Sequence, residues 1–184
     1  MRTLLTLPIA ALAGLLACRT PAGTGPTAPP GASMQRITVT SRAFTANGPI
    51  PVDNTCDGAD RSPGLTFSAA PQGTKSLAVI VDDPDAPGGD FIHWVAYNLP
   101  ADASSLPEAV DVAELGGVSG LNGFGRPGYN GPCPPKMELH GYHFRVYALD
   151  ATLSARANVT AEELQAVMNG HVLAVGVLVG TFSH

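Results

Sequence analysis

The chain has 184 residues, three cysteines and a net charge of −5, with ten Lys and Arg against fifteen Asp and Glu. With no basic run or basic helix, it lacks the electrostatic footprint of a nucleic-acid binder, and that class is excluded. The acidic balance also argues against docking of the folded surface on anionic lipid.

Residues 1–17 read as a lipoprotein signal peptide. Arg2 supplies a positive start, and Leu4 to Leu16 is apolar apart from Thr6, Pro8 and Gly14. A membrane-spanning helix needs roughly 20 apolar residues; this stretch has the length of a signal-peptide core instead. Leu15-Leu16-Ala17-Cys18 resembles a bacterial lipobox, with Cys18 lipidated as the mature N-terminus. An ordinary secretory signal cut near Ala17 is the other reading. Residues 18–33 are rich in Pro, Gly, Thr and Ala, a composition that buries too little apolar surface to offset ordering, and they read as a tether. Residues 34–184, about 150 in all, suit a single domain with its own core.

Arg36 to Phe44 alternates Ile37, Val39 and Ser41 against Thr38, Thr40 and Arg42, which predicts one half-exposed strand. Asn47-Gly48-Pro49 marks a turn, Val52 to Pro63 a loop and Leu65 to Ser68 a short strand. Ser76 to Val81 is a continuous apolar run of strand length, expected to be buried on both faces and ended by Asp82-Asp83-Pro84. Phe91 to Leu99 is the next strand. Pro100 to Gly131 reads as irregular loop with a helical turn near Pro107 to Ala113, and Tyr142 to Leu149 alternates as a strand.

One helix is expected over Ala161 to Asn169. Thr160 and Glu163 form a capping-box pattern, with Leu164, Val167 and Met168 on the apolar face. Val172 to Phe182 is a final strand in which Gly176 and Gly180 signal a bulge or a close backbone approach. Many short strands with little helix imply a mainly β domain of α+β type, built as a β-sandwich with a small helical part.

Polar residues concentrate in two places. Asp83-Pro84-Asp85-Ala86-Pro87 follows the buried strand, and His93 lies on the next one. The prolines stiffen this loop, and a carboxylate beside His93 or His140 favours an imidazolium that donates to phosphate or carboxylate oxygen. The second place is Gly128 to Pro135, where only Gly131 and Cys133 among residues 131–135 own an N–H that could face an anion. His140 and Tyr142 are two apart and share a face of their strand. With Cys18 lipidated, Cys56 and Cys133 remain as a pair: an oxidising envelope permits a disulfide, and two buried thiols are the alternative. Gly123 to Gly128 matches GxGxxG but lacks the preceding strand and following helix of a dinucleotide site. His140 and His143 point to opposite faces and cannot chelate one metal together.

These segments carry a resemblance. DPDAP (83–87), HW (93–94), GYNGPCPP (128–135), HGY (140–142) and YALD (147–150), with TCDG at 55–58 and SPGL at 62–65, follow the order seen in the phosphatidylethanolamine-binding protein family. The chain resembles most its bacterial Raf-kinase-inhibitor-like branch, over roughly Ile37 to Phe182. The resemblance implies a large central sheet packed on a smaller one, with one or two short helices near the C-terminus. It also implies a pocket for phosphate-like ions, carboxylates or phospholipid headgroups, built from Asp83, Asp85, Pro87, His93, Gly131, Cys133, His140 and Tyr142. The sequence departs from the family at Gly141 and at Lys136-Met137-Glu138-Leu139, both at the expected rim.

The reading is therefore a non-catalytic binding module for a small anionic group. It is lipid-anchored at Cys18 in a bacterial cell envelope, with no cofactor, metal or nucleic-acid partner. Two other classes stay open. One is an enzyme, using His93, His140 and Asp83 around zinc or Cys133 as nucleophile. The other is an interaction or inhibitor protein that presents the pocket to a partner.

Overall fold

The computed structural model describes residues 25–184. The signal segment, Cys18 and the first part of the tether lie outside the described residues. Among those described, no helix is long and apolar enough to cross a membrane.

Strands form where apolar residues can be buried on one face or on both. They are β1 (Gln35–Arg36), β2 (Val39–Ser41), β3 (Leu65–Phe67), β4 (Ser76–Asp83), β5 (Phe91–Pro100), β6 (Ser105–Leu106), β7 (Val118–Ser119), β8 (His140–Leu149) and β9 (Val172–Phe182), with one α-helix among the described residues, α1 (Ala161–Met168), before the last, and short 3-10 turns at Val52–Asn54 and Val112–Leu115. The large sheet has the order β1-β9-β8-β4-β5-β7, and the small one β2-β3-β6. The chain is thus mainly β, with two packed sheets and one helix towards the C-terminus, as the sequence led one to expect.

Every residue of β4 is buried, because both faces of the large sheet are covered. On one face Leu77, Val79, Val81, Trp94, Phe144 and Val146 pack against Leu65, Phe67 and Leu106 of the small sheet. On the other, Ala78, Ile80, Val95 and Tyr97 pack under Leu164 and Met168 of α1. The helix begins as its capping box dictates: the Glu163 amide donates to Thr160 Oγ1 at 3.2 Å, and the Thr160 amide to Glu163 Oε2 at 2.9 Å.

Four expectations need correction. Arg36 to Phe44 is not one strand: β1 pairs in parallel with β9 in the large sheet, then the chain crosses to the small sheet as β2. The crossing requires Gly176, where an added Cβ would collide with the Ile37 carbonyl and the Val39 side chain; the glycine marks a close backbone approach. Asp82 and Asp83 end β4 from within rather than starting the loop. Val167 is 40% exposed, and Ala161 takes its place on the buried side of α1. Finally, 100–131 holds the two-residue strands β6 and β7, too short to leave a period-two signal.

The described part of the tether is also more ordered than its composition suggests. Thr27 Oγ1 donates to Asn169 Oδ1 at 2.6 Å, and the Gly170 and Val172 amides donate to the Thr27 carbonyl. Residues 26–27 are thereby fixed beside the C-terminal end of α1.

Leu164 is fully buried, so Leu164→Ala should cost about 2–5 kcal/mol in urea unfolding. Val167→Ala on the exposed side should stay within about 0.5 kcal/mol. Equal losses would contradict this assignment of the two faces.

Candidate functional site

The large sheet has two different ends. At one, Leu149 lies opposite Val172 beside α1; at the other, His140 lies opposite Phe182. The second end carries a cavity of about 400 Å³ lined by Asp83, Ala86, Pro87, Phe91, His93, Phe124, Cys133, Pro134, Pro135 and His140. Asp83 comes from β4, Phe91 and His93 from β5, and His140 from β8, so three adjacent strands supply the polar floor. Loops add an apolar wall of proline and phenylalanine.

His140 and Asp83 form a buried pair, each 3% exposed, with Nδ1 to Oδ2 at 2.8 Å. The second ring nitrogen, Nε2, meets Glu138 Oε2 at 3.3 Å. With a carboxylate at each nitrogen, the ring is held as imidazolium. Burial works against that charge, but the hydrogen bonds to Asp83 and Glu138 outweigh it and raise the His140 pKa. The other Asp83 oxygen accepts the Asp85 amide at 3.0 Å, which closes the turn after β4.

His93 is different. Its Nδ1 lies 2.8 Å from the Asn130 carbonyl, and since a carbonyl only accepts, Nδ1 carries the proton. Burial lowers the pKa of His93, opposed by the Asn130 carbonyl and by Asp83. The ring is thus neutral near pH 7, with Nε2 a bare acceptor on a residue that lines the cavity. The expectation of a cation at His93 is corrected, because desolvation outweighs the distant carboxylates.

Tyr142 is fully buried behind the floor, stacked on His140 and edge-on to His93. Its hydroxyl faces Asp83 and the Cys133 amide but closes a well-formed hydrogen bond with neither. Burial and the nearby Asp83 charge keep the phenol protonated.

Two expected contact residues are engaged elsewhere. Asp85 Oδ2 accepts the Gly141 amide at 2.8 Å and ties the DPDAP turn to β8. The Gly131 amide donates to Asp60 and is unavailable to an anion. Gly131 itself is needed for packing, since a Cβ there would strike the Asn54 carbonyl. Cys133 lines the cavity and is joined to Cys56 by a disulfide, with Cα atoms 5.5 Å apart. It has no thiol, which removes it as a nucleophile.

The sequence reading missed the supports of this wall. Asn122 accepts the Phe124 and Arg126 amides on Oδ1 and donates to Asn130 Oδ1 at 2.8 Å. Asn130 in turn donates to Asp60 Oδ2 at 2.8 Å. This chain of amides and carboxylates places Phe124 and fixes the Asn130 carbonyl that orients His93. Its only trace in the sequence is an excess of Asn, Asp and Gly in the loops. His184 adds a clamp: Nε2 donates to the Pro134 carbonyl at 2.6 Å while Nδ1 faces Asp57 at 3.0 Å. Cys56, Asp57 and His184 approach closely enough to suggest a metal site among the described residues, but Cys56 is already bonded to Cys133. His143 lies on the opposite sheet face from His140, beside the Asp82–Arg145 pair.

Counted by charge, Asp83, Asp85 and Glu138 surround a single imidazolium at His140. The cavity therefore carries no net positive charge, and its free floor nitrogen at His93 is an acceptor.

Comparison with known proteins follows this geometry. The sequence model of the family described as phosphatidylethanolamine-binding protein matches residues 40–183. A UPF0098 protein of Pyrococcus abyssi is 42% identical over 158 residues, covering 83% of this chain and 88% of the relative. A UPF0098 protein of Chlamydia trachomatis is 44% identical over 149 residues, covering 78% and 97%. Among solved structures, the phosphatidylethanolamine-binding protein homologue CT736 of Chlamydia trachomatis superposes with a TM-score of 0.76 at 42% identity, covering 82% of this chain and 99% of that one. YbcL of E. coli, described as a member of the mammalian PEBP family, does so with 0.76 at 33% identity, covering 81% and 99%.

His140→Ala leaves the Asp83 carboxylate buried and unpaired, which should cost about 3–5 kcal/mol in chemical unfolding. Because the folded-state pKa of His140 is raised, the pair's contribution is complete below about pH 6.5. It is lost as pH rises through the raised value, so the gap between wild type and variant should narrow in alkali. Reducing the Cys56–Cys133 bond, which spans 77 residues, should remove about 2–4 kcal/mol; an unchanged melting curve in reductant would contradict it.

Proposed function

The chain belongs to the phosphatidylethanolamine-binding protein family, and on that premise we propose that this cavity binds a small anionic group without transforming it. The group is a phosphate, a phospholipid headgroup or a carboxylate, bound in the cell envelope by a protein held through a lipid on Cys18. Family membership supports ligand binding in general, and the anionic class rests on one observation. The floor offers a single ring nitrogen without a partner, His93 Nε2, close to a buried imidazolium at His140. An entering anion raises the affinity of His93 for a proton. The ring then donates one hydrogen bond to Asn130 and one to the ligand, the latter contributing about 1.5–3 kcal/mol as a charge-assisted bond.

The second reading, an interaction protein, is favoured by the rim. Met137 is 93% exposed and Leu139 68% exposed, both on the loop between the cavity-lining Pro135 and His140. Exposed apolar side chains beside a pocket mark a surface suited to a protein partner.

Inorganic sulfate, whose charge is constant from pH 5.5 to 8.5, separates the protein's titration from the ligand's. Because the free His93 pKa lies below 6.5, sulfate affinity should rise as pH falls, by up to about tenfold per unit. In His93→Gln that rise should be much flatter. Wild-type affinity that does not change with pH would remove His93 from the site, and no anion binding at any pH would remove the proposal.

A further inference from the structure

We propose that the pocket opens away from the membrane that anchors the protein, so that its anionic ligand is a soluble molecule of the aqueous compartment rather than a headgroup of that membrane. The inference rests on the reading just given, anion binding and lipidation of Cys18, and adds the source of the ligand.

The argument is one of polarity along the sheet. The N-terminal segment is fastened at the α1 end: Thr27 Oγ1 donates to Asn169 Oδ1 at 2.6 Å, and the Thr27 carbonyl accepts the Gly170 and Val172 amides at 3.1 and 3.3 Å. Pro26 is buried there. Val172 begins β9, and β1 continues beside it with Gln35 opposite Ala174. The pocket lies at the other end of the same strands, where His140 stands opposite Phe182. At 3.3 Å per residue, the nine or ten residues between these ends span roughly 30 Å.

Cys18 is nine residues before Thr27. A chain of that length reaches at most about 30 Å when fully extended. The lipid therefore brings the bilayer to the α1 end. For the pocket mouth to meet the same bilayer, the domain would have to turn over while the linker ran at full stretch along the whole sheet. A linker without slack opposes this, and electrostatics give the mouth no attraction for anionic lipid, because the chain carries a net charge of −5 and the exposed Asp85 and Glu138 lie beside it. The apolar residues of the rim, Phe124, Met137 and Leu139, are then displayed to the aqueous side, where a soluble ligand arrives.

The test uses the full chain, lipidated on Cys18 and reconstituted in vesicles of phosphatidylcholine with or without phosphatidylethanolamine. A fluorophore on Met137→Cys reports the pocket end, and one on Ala166→Cys the α1 end. Nitroxide lipids should quench the Ala166 label several-fold more than the Met137 label, and aqueous iodide should do the reverse. Equal lipid quenching of the two labels would overturn the proposal, as would an intact mass without acyl chains on Cys18. In the ligand arm, phosphorylethanolamine should bind the anchored protein as tightly as the unlipidated Cys18→Ser chain, in both vesicle compositions. Weaker binding only in phosphatidylethanolamine vesicles would show the anchoring membrane's own headgroups competing for the pocket, and would equally overturn it. Failure of phosphorylethanolamine to bind the Cys18→Ser chain would refute anion binding itself, a result distinct from a wrong orientation.

Discussion

The buried pair between Asp83 and His140 is the interaction on which the functional end of this molecule depends. It joins β4 to β8, the two central strands, at the point where both emerge from the core. One Asp83 oxygen holds the imidazolium and the other holds the amide of Asp85, so the same carboxylate sets the charge of the floor and the shape of the DPDAP turn. Asp85 then returns to β8 through the Gly141 amide. Gly141 suits that contact, since a Cβ there would sit 3.4 Å from the Asp85 carboxylate. Tyr142 stacks beneath the pair and shields it from the rest of the core. A low-dielectric site makes each of these contacts stronger and makes a missing partner costly.

A second set of contacts determines what the floor can offer a ligand. The two histidines look equivalent in sequence, each near an aspartate, yet their environments drive them to opposite protonation states. His140 has carboxylates at both nitrogens, while His93 has a backbone carbonyl at one and no hydrogen-bond partner at the other. Two imidazoles whose proton affinities have been pushed apart in one pocket make a site whose charge responds to what enters it. The disulfide, the surrounding prolines and the His184 clamp hold the wall against which that response occurs.

Much of the architecture was legible in the sequence. The apolar run Ser76 to Val81 could only be a strand covered on both faces, and Thr160 with Glu163 placed the start of α1 to the residue. The split of Arg36 to Phe44 was not legible, because Ile37 and Val39 keep period-two alternation whichever sheet they join; what divides them is Gly176, about 140 positions away in the chain. At the site, the motif residues indicated which side chains gather, and five of the eight line the cavity. Their roles depended on partners that spacing does not reveal. Gly131 gives its amide to Asp60, and the Asn130 carbonyl rather than a carboxylate decides the state of His93. Loops rich in Asn and Asp announce turns, but not which distant amide each side chain will satisfy.

The edges of the large sheet carry a consequence for how this protein meets others. β1 and β7, which flank it, are two residues long each. A strand needs a longer unpaired ladder to accept another chain by backbone pairing. Among the described residues, the edges of the large sheet therefore present little template for strand exchange or fibrillar stacking, which leaves side-chain faces for self-association. In a crowded compartment, that blunting lets a β-rich domain reach high concentration without cross-seeding its neighbours.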